Sequence, residues 1–117
     1  MRLRSDIFVS ALVRRVFAAG GFAAVERKGA ESAGAIFVRQ RFRDGLETLY
    51  APAPQTVFDA DGGDTRLFEI RLDRVEPEEI AALLARELRF DSDLWIVELE
   101  SDDVVDVIPL AEEDGRR

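Results

Sequence analysis

The chain has no cysteine and no histidine among its 117 residues. Without cysteine there is no disulfide framework and no thiolate metal site. Without histidine the commonest general base and the commonest transition-metal ligand are missing. Lysine occurs once, at Lys28, among sixteen basic side chains. Ser5, Ser10, Ser32, Ser92 and Ser101 therefore have no histidine to activate them, and nothing places a Ser-Lys pair. Gly20-Gly21, Lys28-Gly29 and Asp44-Gly45 read as turns, since none forms a phosphate-cradling or dinucleotide-binding signature. Long apolar runs are also missing. The segment after Met1-Arg2-Leu3-Arg4 superficially resembles a signal peptide, but Asp6 and Arg14-Arg15 interrupt it, and it is too short and too charged to span a membrane. These absences predict a cytoplasmic chain with no cofactor, no metal and no membrane partner.

What remains suits one small folded unit. A chain of this length can bury roughly two-thirds of the surface it exposes when unfolded, and 47% of its residues are hydrophobic. The net charge of -8 is split: residues 1–50 carry +4 and residues 51–117 carry -12. A uniformly acidic protein repels nucleic acid and anionic lipid, but this division allows a local basic face.

The fold is organised around Leu94-Trp95-Ile96-Val97-Glu98-Leu99-Glu100, a β-branched and aromatic run that contains the only tryptophan. Alternation puts Trp95, Val97 and Leu99 on one face as core anchors, with Leu94, Ile96, Glu98 and Glu100 on the other. A strand apolar on both faces at its start belongs inside a sheet. Before it, apolar residues at Phe8, Val9, Leu12, Val13, Val16 and Phe17 predict a helix over about 6–19, with Ser5 or Asp6 as N-cap and Gly20-Gly21 as its stop. Phe22 to Arg27 reads as a strand. Asp44-Gly45 predicts a two-residue hairpin between strands near 33–43 and 46–51. In that register Arg39 pairs with Tyr50 and Arg41 with Thr48, so Arg39, Arg41, Arg43, Thr48 and Tyr50 share the outer face. Residues 65–72 form a fourth strand, with Phe68, Ile70 and Leu72 on one side. Pro77-Glu78-Glu79 opens a second helix whose stripe is Ile80, Leu83, Leu84 and Leu88. The predicted class is α+β, in the order α-β-β-β-β-α-β, with a mostly antiparallel five-stranded sheet and both helices on one face. Residues 1–111 form the domain, where Val104, Val105, Val107, Ile108 and Leu110 can add a short strand, and 112–117 form a flexible tail.

Several runs together resemble a small uncharacterised alphaproteobacterial family known as domain of unknown function 1491. They are Ser5 to Arg15, Gly21 to Gly29, Ala33-Gly34-Ala35, Leu49 to Pro54 and Arg89 to Glu98. The likeness covers most of residues 2–100, and its specificity lies in the order of the runs. The family's pattern continues past the glutamates with an acidic-arginine segment, where this chain has Ser101-Asp102-Asp103 and a longer acidic tail. The resemblance implies a cytoplasmic bacterial protein and transfers no catalytic residue.

Three groups of side chains merit weighing as sites. Asp91, Asp93, Glu98 and Glu100 are hard-cation or acid/base candidates, although Asp91 and Asp93 also suit a turn and the glutamates suit the solvated end of a strand. Asp59 to Asp64 faintly resembles a calcium loop, but Gly63, Asp64 and Ile70 occupy positions where ligands or the required glycine belong. Arg39, Arg41, Arg43 and Tyr50 can offer phosphate contacts and stacking to single-stranded nucleic acid or another anion. The leading expectation is a non-enzymatic interaction or scaffold module that self-associates as a homodimer or binds another protein. Its grounds are the missing histidine and cysteine and the apolar residues on both strand faces. With both helices on one face, Phe37, Leu94 and Ile96 would need a partner to cover them. An arginine-lined anion binder is the alternative, followed by a carboxylate-dependent hydrolase using Asp91 and Asp93.

Overall fold

A computed structural model of the chain describes residues 3–54, 66–102, 104 and 107–111. Seven elements follow the predicted order: α1 Ser5–Ala18, β1 Phe22–Arg27, β2 Ile36–Arg41, β3 Glu47–Pro52, β4 Phe68–Val75, α2 Pro77–Phe90 and β5 Trp95–Glu100. The sheet order is β1-β5-β2-β3-β4. Neighbours run antiparallel except β2 and β5, which are parallel. β5 is thus interior, as its apolar start required, and the class is α+β.

The helices do not share a face. Trp95, Val97 and Leu99 pack with Phe8, Val9, Leu12 and Val16 of α1. Leu94, Ile96 and Phe37 pack with Ile80, Leu83 and Leu84 of α2. Topology explains this correction. β4 and β5 both run parallel to β2 and are separated by β3 and β2, so the α2 connection must cross over a face to join them. The strands it crosses are apolar there, and α1 already covers the other side. Phe37, Leu94 and Ile96 are each at most 5% exposed. They find their cover within the chain, and the need for a partner above them disappears.

The β2–β3 hairpin is the second correction. Phe42 N–H donates to the Leu46 carbonyl and Gly45 N–H to the Phe42 carbonyl, both at 3.0 Å. The loop is therefore three residues, Arg43-Asp44-Gly45, with Gly45 at φ +92°, a turn followed by a left-handed glycine. The pairs become Arg41 with Glu47, Arg39 with Leu49 and Val38 with Tyr50. A slip of one residue moves a strand's side chains to the opposite face, so Tyr50 and Thr48 part from Arg39 and Arg41.

Register shifts also break β4. Opposite Thr48 the strand bulges, and Arg74 takes φ +52°. The Thr48 hydroxyl donates to Asp73 Oδ1 at 3.1 Å and accepts the Arg74 N–H at 3.0 Å. Arg74 then lies over the Phe42 ring, 4.3 Å from its centroid, and pairs with Asp44. The shifts split the expected Phe68-Ile70-Leu72 face: Phe68 joins the α1 side, Leu72 the α2 side, and Ile70 stays exposed.

No side chain caps α1. Ser5 is its first helical residue, and the loop after β1 supplies acceptors instead: Ser5 and Asp6 N–H donate to the carbonyls of Ser32 and Glu31 at 3.2 and 3.0 Å. Val104, Val107 and Ile108 are buried on the α1 side, but among the described residues only Leu110 makes a β-bridge, to Phe68. The Asp59–Asp64 loop and the 112–117 tail lie outside the described residues. Among those described, no helix is long and apolar enough to cross a membrane.

Buried Gln40 ties this architecture together from the α1 side. Its Nε2 donates to the Ser101 carbonyl at 2.6 Å, and its Oε1 accepts the Tyr50 hydroxyl at 2.7 Å. Gln40→Leu removes both bonds while keeping the bulk. It is expected to cost about 1–3 kcal/mol in urea unfolding; a variant as stable as the parent would show that these bonds contribute nothing net.

Candidate functional site

Pairing with Glu98 and Glu100 of β5 places Arg39 and Arg41 on the α2 face, and the slipped register brings Glu47 of β3 beside them. Glu47, 2% exposed, pairs across the hairpin with Arg41. Arg39 Nε and Nη2 donate to Glu47 Oε1 at 3.0 and 2.7 Å, and its Nη1 donates to Glu26 Oε2 at 3.1 Å. Arg41 Nε donates to Glu47 Oε2 at 3.0 Å. Its Nη2 and Nη1 lie 3.3 and 3.8 Å from Glu98 and Glu100. The bond to Glu47 raises the Arg41 pKa above its ordinary value. Four carboxylates meet two guanidinium groups here, leaving a local charge of -2.

The predicted face of Arg39, Arg41, Arg43 and Tyr50 is thereby dispersed. Arg39 and Arg41 are bound into ion pairs, and Arg43 stands exposed in the hairpin loop. Tyr50 is buried among the α1-side core residues. The sequence reading missed Glu47 and Glu26, and a three-residue loop would have revealed the first of them opposite Arg41. The four acidic candidates also separate. Asp91 and Asp93 form a turn before β5, with Asp91 Oδ1 accepting the Asp93 N–H at 2.9 Å. Glu98 and Glu100 stand at the far end of that strand, roughly 15 Å away at about 3.3 Å per residue. Among the described residues no three Asp or Glu side chains are arranged to hold a metal ion. Trp95, Val97 and Leu99 are core, at most 4% exposed.

A different surface stands out on the α1 side. β1 is an edge of the sheet. Phe17, Phe22 and Val25 are 51%, 43% and 44% exposed, large values for side chains that otherwise fill cores. Phe17 and Phe22 meet edge to face with centroids 5.6 Å apart. Phe17 and Val25 line a groove of about 590 Å³ between α1 and β1, floored by Val9, Val13 and Trp95. Its rim carries Asp6, Arg14, Lys28 and Glu31. The hydrogen bond from Arg4 holds the Asp6 carboxyl below its ordinary pKa. That favourable contribution is present above the usual carboxylate range and lost as pH falls through the lowered value. The groove arises because the chain turns at Gly20-Gly21 after α1 and brings β1 back against it, leaving the outer side of both elements uncovered among the described residues.

No curated protein matches the chain. Solved structures do. A solution structure of a protein from A. tumefaciens is 64% identical, covers 97% of this chain and 98% of its own, and superposes with a TM-score of 0.86. A crystal structure of a DUF1491 family protein from Caulobacter crescentus is 31% identical over 96% of this chain and all of its own, with a TM-score of 0.76. An NMR structure of a DUF1491 family protein from Caulobacter crescentus is 32% identical over 96% and 99%, with a TM-score of 0.75. The family model described as protein of unknown function (DUF1491) matches residues 3–109, and the chain belongs to that family.

Proposed function

We propose that this chain is a non-enzymatic interaction module that associates with a second copy of itself through its α1/β1 side. The supporting observation is the exposed run Phe17, Phe22 and Val25, continuous with an apolar groove beside an edge strand. Three of the eight exposed large hydrophobic side chains among the described residues, Phe17, Phe22 and Val25, gather on this side. Contiguous apolar surface of this kind marks interaction sites. Charge disfavours contact through the acidic half more than contact here. Residues 3–31 carry five basic and three acidic side chains in a chain of net charge -8, so two copies meeting here avoid their acidic halves.

Light scattering at about 150 mM salt, where charges beyond about 8 Å are screened, tests the reading. Across ~1–500 µM the mass is expected to rise from one chain to two, as for a dimer of micromolar Kd. A mass fixed at one chain throughout would sink it.

A further inference from the structure

The sheet has two edges, and the chain treats them differently. β4 is guarded. Its first residue is flanked by the chain's own later segment, with Phe68 N–H donating to the Pro109 carbonyl at 2.9 Å and Ala111 N–H to the Phe68 carbonyl at 2.8 Å. Further along it carries Glu69, Arg71, Asp73 and Arg74, two register shifts and a positive-φ residue. Charges, bulges and covering segments are the devices that stop an edge strand from pairing. Among the described residues, β1 has none of them over its first four positions. Phe22-Ala23-Ala24-Val25 is uncharged and in unbroken register with β5, and the shift comes only after Val25.

We infer that two chains join β1 to β1, antiparallel, about a two-fold axis through Val25, to make one continuous ten-stranded sheet; this rests on the self-association reading above. Two arguments select the register. Strands of one sheet must keep facing residues on the same side, and with an axis normal to the sheet this places the axis on a residue rather than between two. An axis at Glu26 or Arg27 would set like charges opposite each other, which is unfavourable, and of the uncharged positions Val25 is the exposed one nearest the middle of the strand. An axis at Val25 sets Val25 against Val25 and lays the uncharged Phe22-Ala23-Ala24 stretch of each strand alongside the other's Glu26-Arg27 end, where the register shift lies. The charged end of each strand then lies beside the other's uncharged end, not beside its own like. The Phe22 end of each strand meets the Arg27-Lys28 end of the other, where an aromatic face can receive a cation. Because the axis preserves the faces, the two α1 helices lie on the same side, and each covers part of the other's Phe17–Val25 groove. The partner is thus a second copy, held by backbone pairing with apolar cover above it.

The lack of native cysteine makes the test clean. Val25 and Ile70 sit on the two opposite edge strands and are 44% and 45% exposed, so Val25→Cys and Ile70→Cys are matched. Facing residues of an antiparallel pair have Cβ atoms about 4.5–5.5 Å apart, close enough for a disulfide after small adjustment. With oxidised glutathione, Val25→Cys is expected to convert to a covalent dimer and Ile70→Cys to stay mostly monomeric. Val25→Arg, which sets two cations on the axis, is expected to weaken dimerisation at least tenfold while keeping the parent's far-UV circular dichroism. Equal crosslinking of the two cysteine variants would overturn the β1 pairing, as would a Val25→Arg variant that dimerises like the parent. In either case a dimeric parent would leave the broader self-association reading standing. A parent that stays monomeric overturns both. If Val25→Arg fails to fold, the cysteine pair alone decides.

Discussion

Gly29→Ala is expected to destabilise the chain by about 3 kcal/mol or more, the upper range for forced overpacking. The reason is a backbone clasp. The loop after β1 folds over the start of β5 so closely that a Cβ on Gly29 would strike the Asp93 carbonyl oxygen and sit 2.6 Å from the Leu94 carbonyl carbon. A Cβ on Gly34 would strike the same Asp93 oxygen. Backbone, unlike a long side chain, cannot swing aside. The clasp also carries much of the local bonding. Ala30 N–H donates to the Asp93 carbonyl at 2.8 Å and Trp95 N–H to the Ala35 carbonyl at 2.7 Å. Trp95 Nε1 donates to the Ala30 carbonyl at 2.8 Å, and the Ser5 hydroxyl donates to the Gly34 carbonyl at 2.6 Å. Pushing the loop away therefore loosens the indole and the start of α1 together. Gly34→Ala should behave alike. Gly45→Ala is the control: its Cβ meets nothing within 4 Å, and only its φ of +92° resists a side chain, at a cost of about 1 kcal/mol. Urea unfolding followed by Trp95 fluorescence reads all three. A Gly29→Ala variant within about 0.5 kcal/mol of the parent would show that the approach is looser than described.

This clasp marks where the sequence stopped being legible. The β-prone run around Trp95 announced an interior strand because its side chains are apolar on both faces. The leucine stripe of α2 and the apolar spacing of α1 were equally plain. Those signals are local, periodic and repeated. The side of the sheet each helix takes is not local. It follows from β4 and β5 being parallel and two strands apart, which no window of sequence contains. The hairpin failed on a smaller scale. Asp-Gly suits both a two-residue turn and the end of a three-residue loop, and the choice of one residue decided whether Tyr50 joined the arginines or the core. Glu47 was lost as a partner for the same reason. Gly29 and Gly34 looked like ordinary turn residues, because the contact that demands them comes from more than fifty positions away.

Glu47→Ala carries the second large expected effect, about 3–5 kcal/mol, because it strips one partner from a buried ion pair. The Arg39 side chain is 11% exposed and that of Glu47 is 2% exposed. Water cannot replace what is removed. Arg39 would keep only Glu26, and Arg41 would turn to Glu98 and Glu100, whose side chains are 23% and 53% exposed. Glu47→Gln keeps the volume and one acceptor oxygen, and it should cost about 1–3 kcal/mol. Glu100→Ala, at the wet end of the cluster, should cost below about 1 kcal/mol. The gradient Glu47→Ala above Glu47→Gln above Glu100→Ala is thus a prediction about burial, measured by urea unfolding. A flat series would mean that solvent reaches the whole cluster. The double variant Arg39→Leu, Glu47→Leu asks a separate question. Removing both charges avoids an orphaned ion, and buried pairs exchanged for apolar side chains are often neutral or stabilising. Here Glu26 and Arg41 would each lose a partner, so the double variant should fall between the parent and Glu47→Ala. That ordering would make the cluster a device that costs little stability while fixing the hairpin register: with Leu49 opposite Arg39, only this register brings Glu47 under both guanidinium groups.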